Sequence, residues 1–325
     1  MKSTPLLRGL VVMALTLATS APALAQGADG YPSKPIKIVV GYSPGGANDI
    51  LARIVAQKMA ETFGQPVVVE NRPSTAAIIG TDAVAKAAPD GYTLLMGASG
   101  PIVFNPALYS KLPYSPTRDL TPVSMVGSFP LILVVQGNAP QRTLKELVAY
   151  TQANPEKSNY GSSAASFQLA TELLKNKTGI RAEHIPYKGS ADAANAVAAG
   201  QLTMTLVDSG PAAGAIKGGL LRGLAVTSSK RLAALPDVPT MAEQGIDLQI
   251  TLWSGLLAPA GTPPAIVQKL QAEVARIVRL PDVRERMAQL GIDPEGGTSE
   301  KFAKVIATEI PLWTALAKAN NIKAD

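Results

Sequence analysis

The chain has no cysteine and a single histidine, His184. Without thiols there are no disulfides, no thiolate nucleophile and no thiolate metal site. One imidazole leaves only scattered carboxylates as metal donors, and no D-x-D-x-D-G loop collects them, so neither a metal nor another cofactor is expected. Aromatic residues make up only 5% of the sequence, too few and too dispersed for a base-stacking surface. The net charge of +6 comes from basic residues spread along the chain rather than clustered, which gives nucleic-acid binding no support. Beyond the N-terminus, no apolar stretch approaches the roughly 20 residues of a membrane-spanning helix. There is no internal repeat.

What is present begins with the N-terminus. Lys2 and Arg8 precede an apolar run from Leu10 to Ala18, and Ala23-Leu24-Ala25 supplies an A-x-A cleavage site. This is the layout of a secretory signal peptide over residues 1–25, with the mature chain starting near Gln26. No cysteine follows the cleavage site for lipid anchoring, so a soluble periplasmic protein is expected. Processing removes Lys2 and Arg8 and leaves a charge of +4.

From residue 36 onward, short apolar runs alternate with amphipathic segments. Ile36 to Val40, Val67 to Glu70 and Tyr92 to Met96 read as strands, separated by helices over 49–63 and 77–88. After a long apolar segment, 123–136, the alternation resumes through strands near Asn159, at His184 to Tyr187, Leu202 to Val207 and Leu221 to Thr227. A further strand spans 250–257, and three helices close the chain. This order predicts an α/β protein of two lobes, each a mostly parallel sheet flanked by helices, joined by two crossing strands. Lobe 1 is expected to comprise 26–127 and 250–325, lobe 2 to comprise 128–249, and the ligand cleft to lie between them.

Five strand ends lead into Gly- and Ser-rich turns. Tyr42-Ser43-Pro44-Gly45-Gly46-Ala47-Asn48 is the most informative, and Ser99, Gly161-Ser162-Ser163 before Ser166, Lys188-Gly189-Ser190 and Asp208-Ser209-Gly210 repeat the design. Such turns expose N–H groups at the positive end of a helix dipole and suit an anion. Each could equally be an ordinary helix cap. Asp208 stands either as a recognition group for a ligand donor or as the cap of the next helix. Asp49 is balanced between favouring the dipole of the first helix and a ligand role. Trp253 and Trp313 read as packing residues.

Gly41-Tyr42-Ser43-Pro44-Gly45 also fits the G-x-S-x-G elbow of hydrolases. The chemistry fails at Pro44, because the oxyanion hole needs the N–H of the residue after the nucleophile and proline has none. His184 would have to serve as base from within a strand. An enzyme is not expected.

Several ordered stretches carry a family resemblance: PGGANDILAR from Pro44, AKAAPDGYTLLMG from Ala85, NYGSS from Asn159, PYKGS from Pro186, LRGLAVTSSKR from Leu221, LPDVPTMAEQG from Leu235 and WSGLLAPAGTPP from Trp253. The chain resembles, over nearly its whole mature length, the Bug-type periplasmic substrate-binding receptors of tripartite tricarboxylate transporters. The resemblance implies a two-lobed periplasmic binding protein fold, type II-like, that closes on a small organic acid. It implies delivery to an inner-membrane permease of one large and one small subunit, and a monomeric receptor. A sensory receptor presenting its ligand to a membrane kinase remains the alternative. The loops that hold the carboxylate would be Tyr42 to Asn48 and Gly161 to Ser166, with Ser99, Asp208 and Thr75 completing the expected site. Two departures stand out. Ser74-Thr75-Ala76-Ala77 replaces a run the family usually fills with Gly-Ala-Gly-Gly, and Ala164-Ala165-Ser166-Phe167-Gln168 replaces a loop with glycines and a histidine. Both are expected to reshape the pocket.

Overall fold

The computed structural model describes residues 30–324; the expected signal peptide lies outside the described residues. The chain opens with β1 (Ile36–Val40), buried along almost its whole length, as the run IKIVV, apolar but for Lys37, suits a central parallel strand. Helix α1 (Ala47–Phe63) buries Leu51, Val55 and Met59 at four-residue spacing and stops at Gly64, which adopts the left-handed conformation and returns its N–H to Ala60. Then follow β2 (Val67–Asn71), α2 (Ile78–Ala85), β3 (Thr93–Ala98) and the short α3 (Asn105–Leu108) and α4 (Pro116–Asp119). Strand β4 (Leu120–Gln136) runs for 17 residues.

The second set comprises α5 (Leu144–Ala153), β5 (Asn159–Ser162), α6 (Ala165–Thr178), β6 (Glu183–Pro186), α7 (Ser190–Ala198), β7 (Met204–Asp208), α8 (Ser209–Lys217) and β8 (Leu221–Val226). The chain returns as β9 (Thr251–Pro259) and ends in α9 (Pro264–Ile277), α10 (Pro281–Gln289), β10 (Asp293–Pro294) and α11 (Ser299–Ala319).

Each lobe holds a parallel triplet of strands. In the first, β1 lies between β2 and β3; in the second, β5 lies between β6 and β7. The remaining strands are antiparallel. Strand β9 bridges β3 and β4, β10 pairs with β4, and β7 and β8 both pair with the far half of β4. Strand β4 therefore belongs to both sheets. Through Pro130 it pairs with β9, and from Leu131 it pairs with β7. The change of partner falls beside Pro130, whose missing N–H suits a point where a ladder is handed over.

The return crossing is made by the segment ahead of β9, since β9 itself stays in the first sheet. Thr227 ties the two crossings together. Its hydroxyl donates to Ile250 O at 2.6 Å and accepts from Leu131 N at 2.9 Å, and its main-chain N–H donates to Leu131 O at 2.9 Å. The residue is fully buried.

The last helices pack on the first lobe. Trp313 of α11 stacks on Phe104 with ring centroids 4.3 Å apart, and Phe302 meets Trp253 edge-on. Each such contact adds about 0.5–1.5 kcal/mol to the burial of its rings.

Candidate functional site

The C-terminal ends of β1, β3, β5 and β7 converge between the lobes. The loops that follow them, with parts of β4 and β9, line a narrow cavity that opens between the lobes. From the first lobe come Tyr42, Asn48, Ala98, Ser99, Gly100, Leu252 and Trp253; from the second come Ser163, Ala164, Ser166, Phe167, Ser190 and Asp208, with Phe129 at the crossing.

Two of its hydroxyls, Tyr42 Oη and Ser99 Oγ, are buried without a hydrogen-bond partner. A buried hydroxyl left in that state costs roughly 1–3 kcal/mol, so these atoms favour an incoming acceptor. Burial, with the neighbouring Tyr114, raises the Tyr42 phenol well above its usual range and keeps it a neutral donor. Gly100 makes the tyrosine's approach possible: a Cβ there would stand 2.7 Å from Tyr42 Oη and 3.5 Å from Ser166 Oγ. Beside them α6 begins at an N-cap, Ala164, that carries no capping oxygen. Its dipole is left open towards the cavity.

The other helix start is already filled. Asp208, from the end of β7, reaches across the cleft and accepts from Ala47 N of α1 at 3.2 Å. Its second oxygen accepts from Ser190 Oγ. Burial pushes the Asp208 carboxyl up to about 6, against the opposing effect of these hydrogen bonds. Nearby, Ser43 N donates to Lys188 O at 3.2 Å, so two main-chain loops also join across the lobes.

Six of the residues singled out from sequence reach the cavity: Tyr42, Asn48, Ser99, Ser163, Ser166 and Asp208. The other six are not among the lining residues. Gly45 N donates to Asp49 Oδ2 at 3.0 Å. Gly46 packs near Ser190, and Gly161 packs among Leu202, Ala193 and Tyr187. Ser43 faces the 188–189 turn. Ser162 Oγ meets His184 Nε2 at 2.7 Å. Thr75 is exposed and away from the cavity lining.

Asp49 is engaged by the protein itself. Burial raises its carboxyl, but hydrogen bonds from Arg53, Gly45 N and Asn71 outweigh this and hold it below the ordinary carboxylate range. The imidazole stacks on Tyr160 with centroids 5.0 Å apart, and it is paired with Ser162 rather than with Ser43. Burial lowers His184 below its usual range. No cluster of three or more potential metal ligands occurs among the described residues.

The two departures from the family pattern fall differently. Ala164, Ser166 and Phe167 line the cavity. The Ser74 to Ala77 turn does not. Instead Ala76 and Ala77 take positive φ values of 53° and 58°, a conformation that costs a residue with a Cβ roughly 1–2 kcal/mol and costs glycine nothing comparable. Ala77 presses on Gly41, where a Cβ would lie 2.5 Å from its own.

Phe129 and Leu252 are not distinguished by sequence as cavity residues, whereas Ser190 is, through the composition of its turn. Phe129 and Leu252, directly paired between β4 and β9, carry no local sign that separates them from core. Trp253 does pack, as expected, with its indole N–H donated to Glu309 at 2.9 Å, and it also contributes to the cavity wall.

Comparison with known proteins agrees with this architecture. The chain is 37% identical to Protein BugT of Bordetella pertussis over 320 residues, covering 97% of this chain and 98% of that protein. The periplasmic binding protein BugD has a similar structure, with a TM-score of 0.86 at 33% identity, covering 90% of this chain and 99% of BugD. An R. palustris protein solved with adipate gives a TM-score of 0.87 at 32% identity, covering 90% of this chain and 99% of that one. The sequence pattern of the tripartite tricarboxylate transporter family receptor matches residues 51–322, and the chain belongs to that receptor family.

Proposed function

We propose that this protein is a periplasmic receptor that closes its two lobes on a small organic acid and delivers it to a two-subunit inner-membrane permease. The observation that carries the reading is the pair of buried, unpartnered hydroxyls, Tyr42 Oη and Ser99 Oγ, beside the uncapped start of α6 in an interlobe cavity. A carboxylate there accepts from both hydroxyls and from Ser166 Oγ, and it meets the positive end of the α6 dipole. Because Tyr42 and Ser99 belong to one lobe and Ser166 to the other, the acid group adds a contact between lobes to those made by Asp208 with Ala47 N and by Ser43 N with Lys188 O. Binding then favours the closed arrangement.

The adipate seen in the R. palustris relative supports a carboxylate ligand, and the name of the matched family supports transport. The N-terminal pattern of Lys2, Arg8 and Ala23-Leu24-Ala25 supports export. No helix among the described residues is long and apolar enough to cross a membrane. The receptor acts without turnover, as a monomer and without a cofactor.

A thermal-shift panel on the mature chain, stripped of carried-over ligand by unfolding and refolding, tests this. A ligand at 100 times its Kd stabilises by about 2.7 kcal/mol, which raises the midpoint by several degrees. Organic acids are expected to produce such shifts and neutral sugars none. Shifts with sugars alone, or with no solute at all, would remove the carboxylate reading.

A further inference from the structure

The cavity has a second side that a carboxylate does not need. Phe129, Phe167, Leu252 and Trp253 contribute large apolar side chains to its wall. Phe129, Leu252 and Trp253 are 2–3% exposed and Phe167 is 6% exposed, so little of this wall is open to solvent. They come from different parts of the fold: Phe129 from the crossing strand, Phe167 from the first turn of α6, Leu252 and Trp253 from β9. A flat apolar body placed among them would touch both lobes. Two of the rings are held in place from behind. Trp253 is fixed by Glu309 and Phe302, and Phe129 by its register opposite Leu252.

The charged groups point the same way. None of the described lining residues is a lysine, arginine or histidine, and the one ionisable acid among them is Asp208. A ligand with one carboxylate places it at the Tyr42, Ser99 and Ser166 hydroxyls. Those unpartnered hydroxyls and the uncapped α6 start are then used, and a second carboxylate would find no comparable set of donors among the lining residues. At the α1 end it would meet an oxygen-bearing group of its own sign, because Asp208 already occupies that helix start. Burying a charge without such donors costs several kcal/mol.

We infer that this receptor selects an acid with a single carboxylate on a compact aromatic body, and that Phe129 and Phe167 set that preference. The inference rests on the carboxylate reading above. Phe167 is the more telling residue, because it follows directly on Ser166. One turn of α6 thus presents a donor to the acid group and a ring to the body. Acid group and ring must be adjacent in the ligand to use both, as they are in a benzoate.

The test is isothermal titration of the refolded mature protein with benzoate and 4-hydroxybenzoate, set against adipate, malate and citrate. Each is measured on the wild type, Phe167→Ser and Phe167→Leu. The aromatic monoacids are expected to bind the wild type at least tenfold more tightly than any of the aliphatic polyacids. Phe167→Ser should weaken the aromatic acids tenfold or more and change the polyacids less than threefold. Phe167→Leu keeps an apolar side chain at this position while removing the flat face, so it should show the same selective loss at smaller size. Tighter binding of adipate, malate or citrate by the wild type would overturn the inference while leaving a carboxylate receptor. So would an equal loss for both classes in Phe167→Leu. Absence of binding by every acid would overturn both.

Discussion

Thr227→Val is expected to destabilise the protein by about 2–5 kcal/mol, although valine nearly matches threonine in shape. The hydroxyl holds Leu131 N and Ile250 O at the same time, 2.9 and 2.6 Å away, in a fully buried position. Valine leaves both main-chain groups without a partner where water does not reach, and each unsatisfied group costs roughly 1–3 kcal/mol. The loss falls at the junction of the lobes, so it should also weaken ligand-driven closure. Thr227→Ser keeps both hydrogen bonds and removes one methyl, for about 1 kcal/mol. Urea unfolding of the two variants separates the terms. A valine variant no weaker than the serine variant would show that another donor and acceptor take over at the crossing.

Asp208 yields the second large effect, in the dependence of stability on pH. Its folded pKa, pushed up to about 6 by burial, lies above the unfolded value near 4. Between those values the folded protein keeps a proton that the unfolded chain has released. Raising the pH through this window therefore lowers stability, and above it the cost is constant. The total is on the order of 3 kcal/mol. Asp208→Asn removes the titration and keeps an oxygen for Ala47 N, while its amide can donate to Ser190 Oγ. Other groups titrate nearby: burial lowers His184 and raises Glu309. The informative quantity is thus the difference between variant and wild type, in which those contributions cancel. The Asp208→Asn variant should gain on the wild type by roughly that amount between about pH 4 and pH 7. A difference that stays flat would place the Asp208 titration at the ordinary carboxylate value.

Much of the fold was legible because burial imposes simple patterns. The run IKIVV of β1 and the four-residue spacing of Leu51, Val55 and Met59 in α1 allow few other readings. The loops were harder. Their composition shows which turns expose N–H groups, but not whether the protein uses those groups itself. Gly45 N goes to Asp49, four residues on, a pairing that a helix start makes readable. Ala47 N goes to Asp208, 161 residues away, and nothing local announces it. The sequence leaves Asp208 either to meet a ligand or to cap the helix after it; its carboxylate lines the cavity and also takes up a helix start in the opposite lobe. Thr75 shares the composition of a binding loop, yet its own side chain is exposed and away from the cavity lining, while Ser74, Ala76 and Ala77 around it are buried. The aromatic wall was illegible for a different reason. Phe129 and Leu252 lie in strands that are largely apolar, and only the junction of the two sheets decides which side chains border the cavity.

That junction also governs how the molecule comes apart. Met125 and Val134 stand nine residues apart on one uninterrupted strand, the first paired with β9 and the second with β7 and β8. A melted second sheet would leave half of β4 a bare edge, with its apolar side chains in water and its ladder unmade. A melted first sheet would do the same to the other half. Neither partly folded form has a surface it can tolerate. The two lobes are therefore expected to unfold as a single cooperative unit, even though the proposed binding cycle would move them relative to one another.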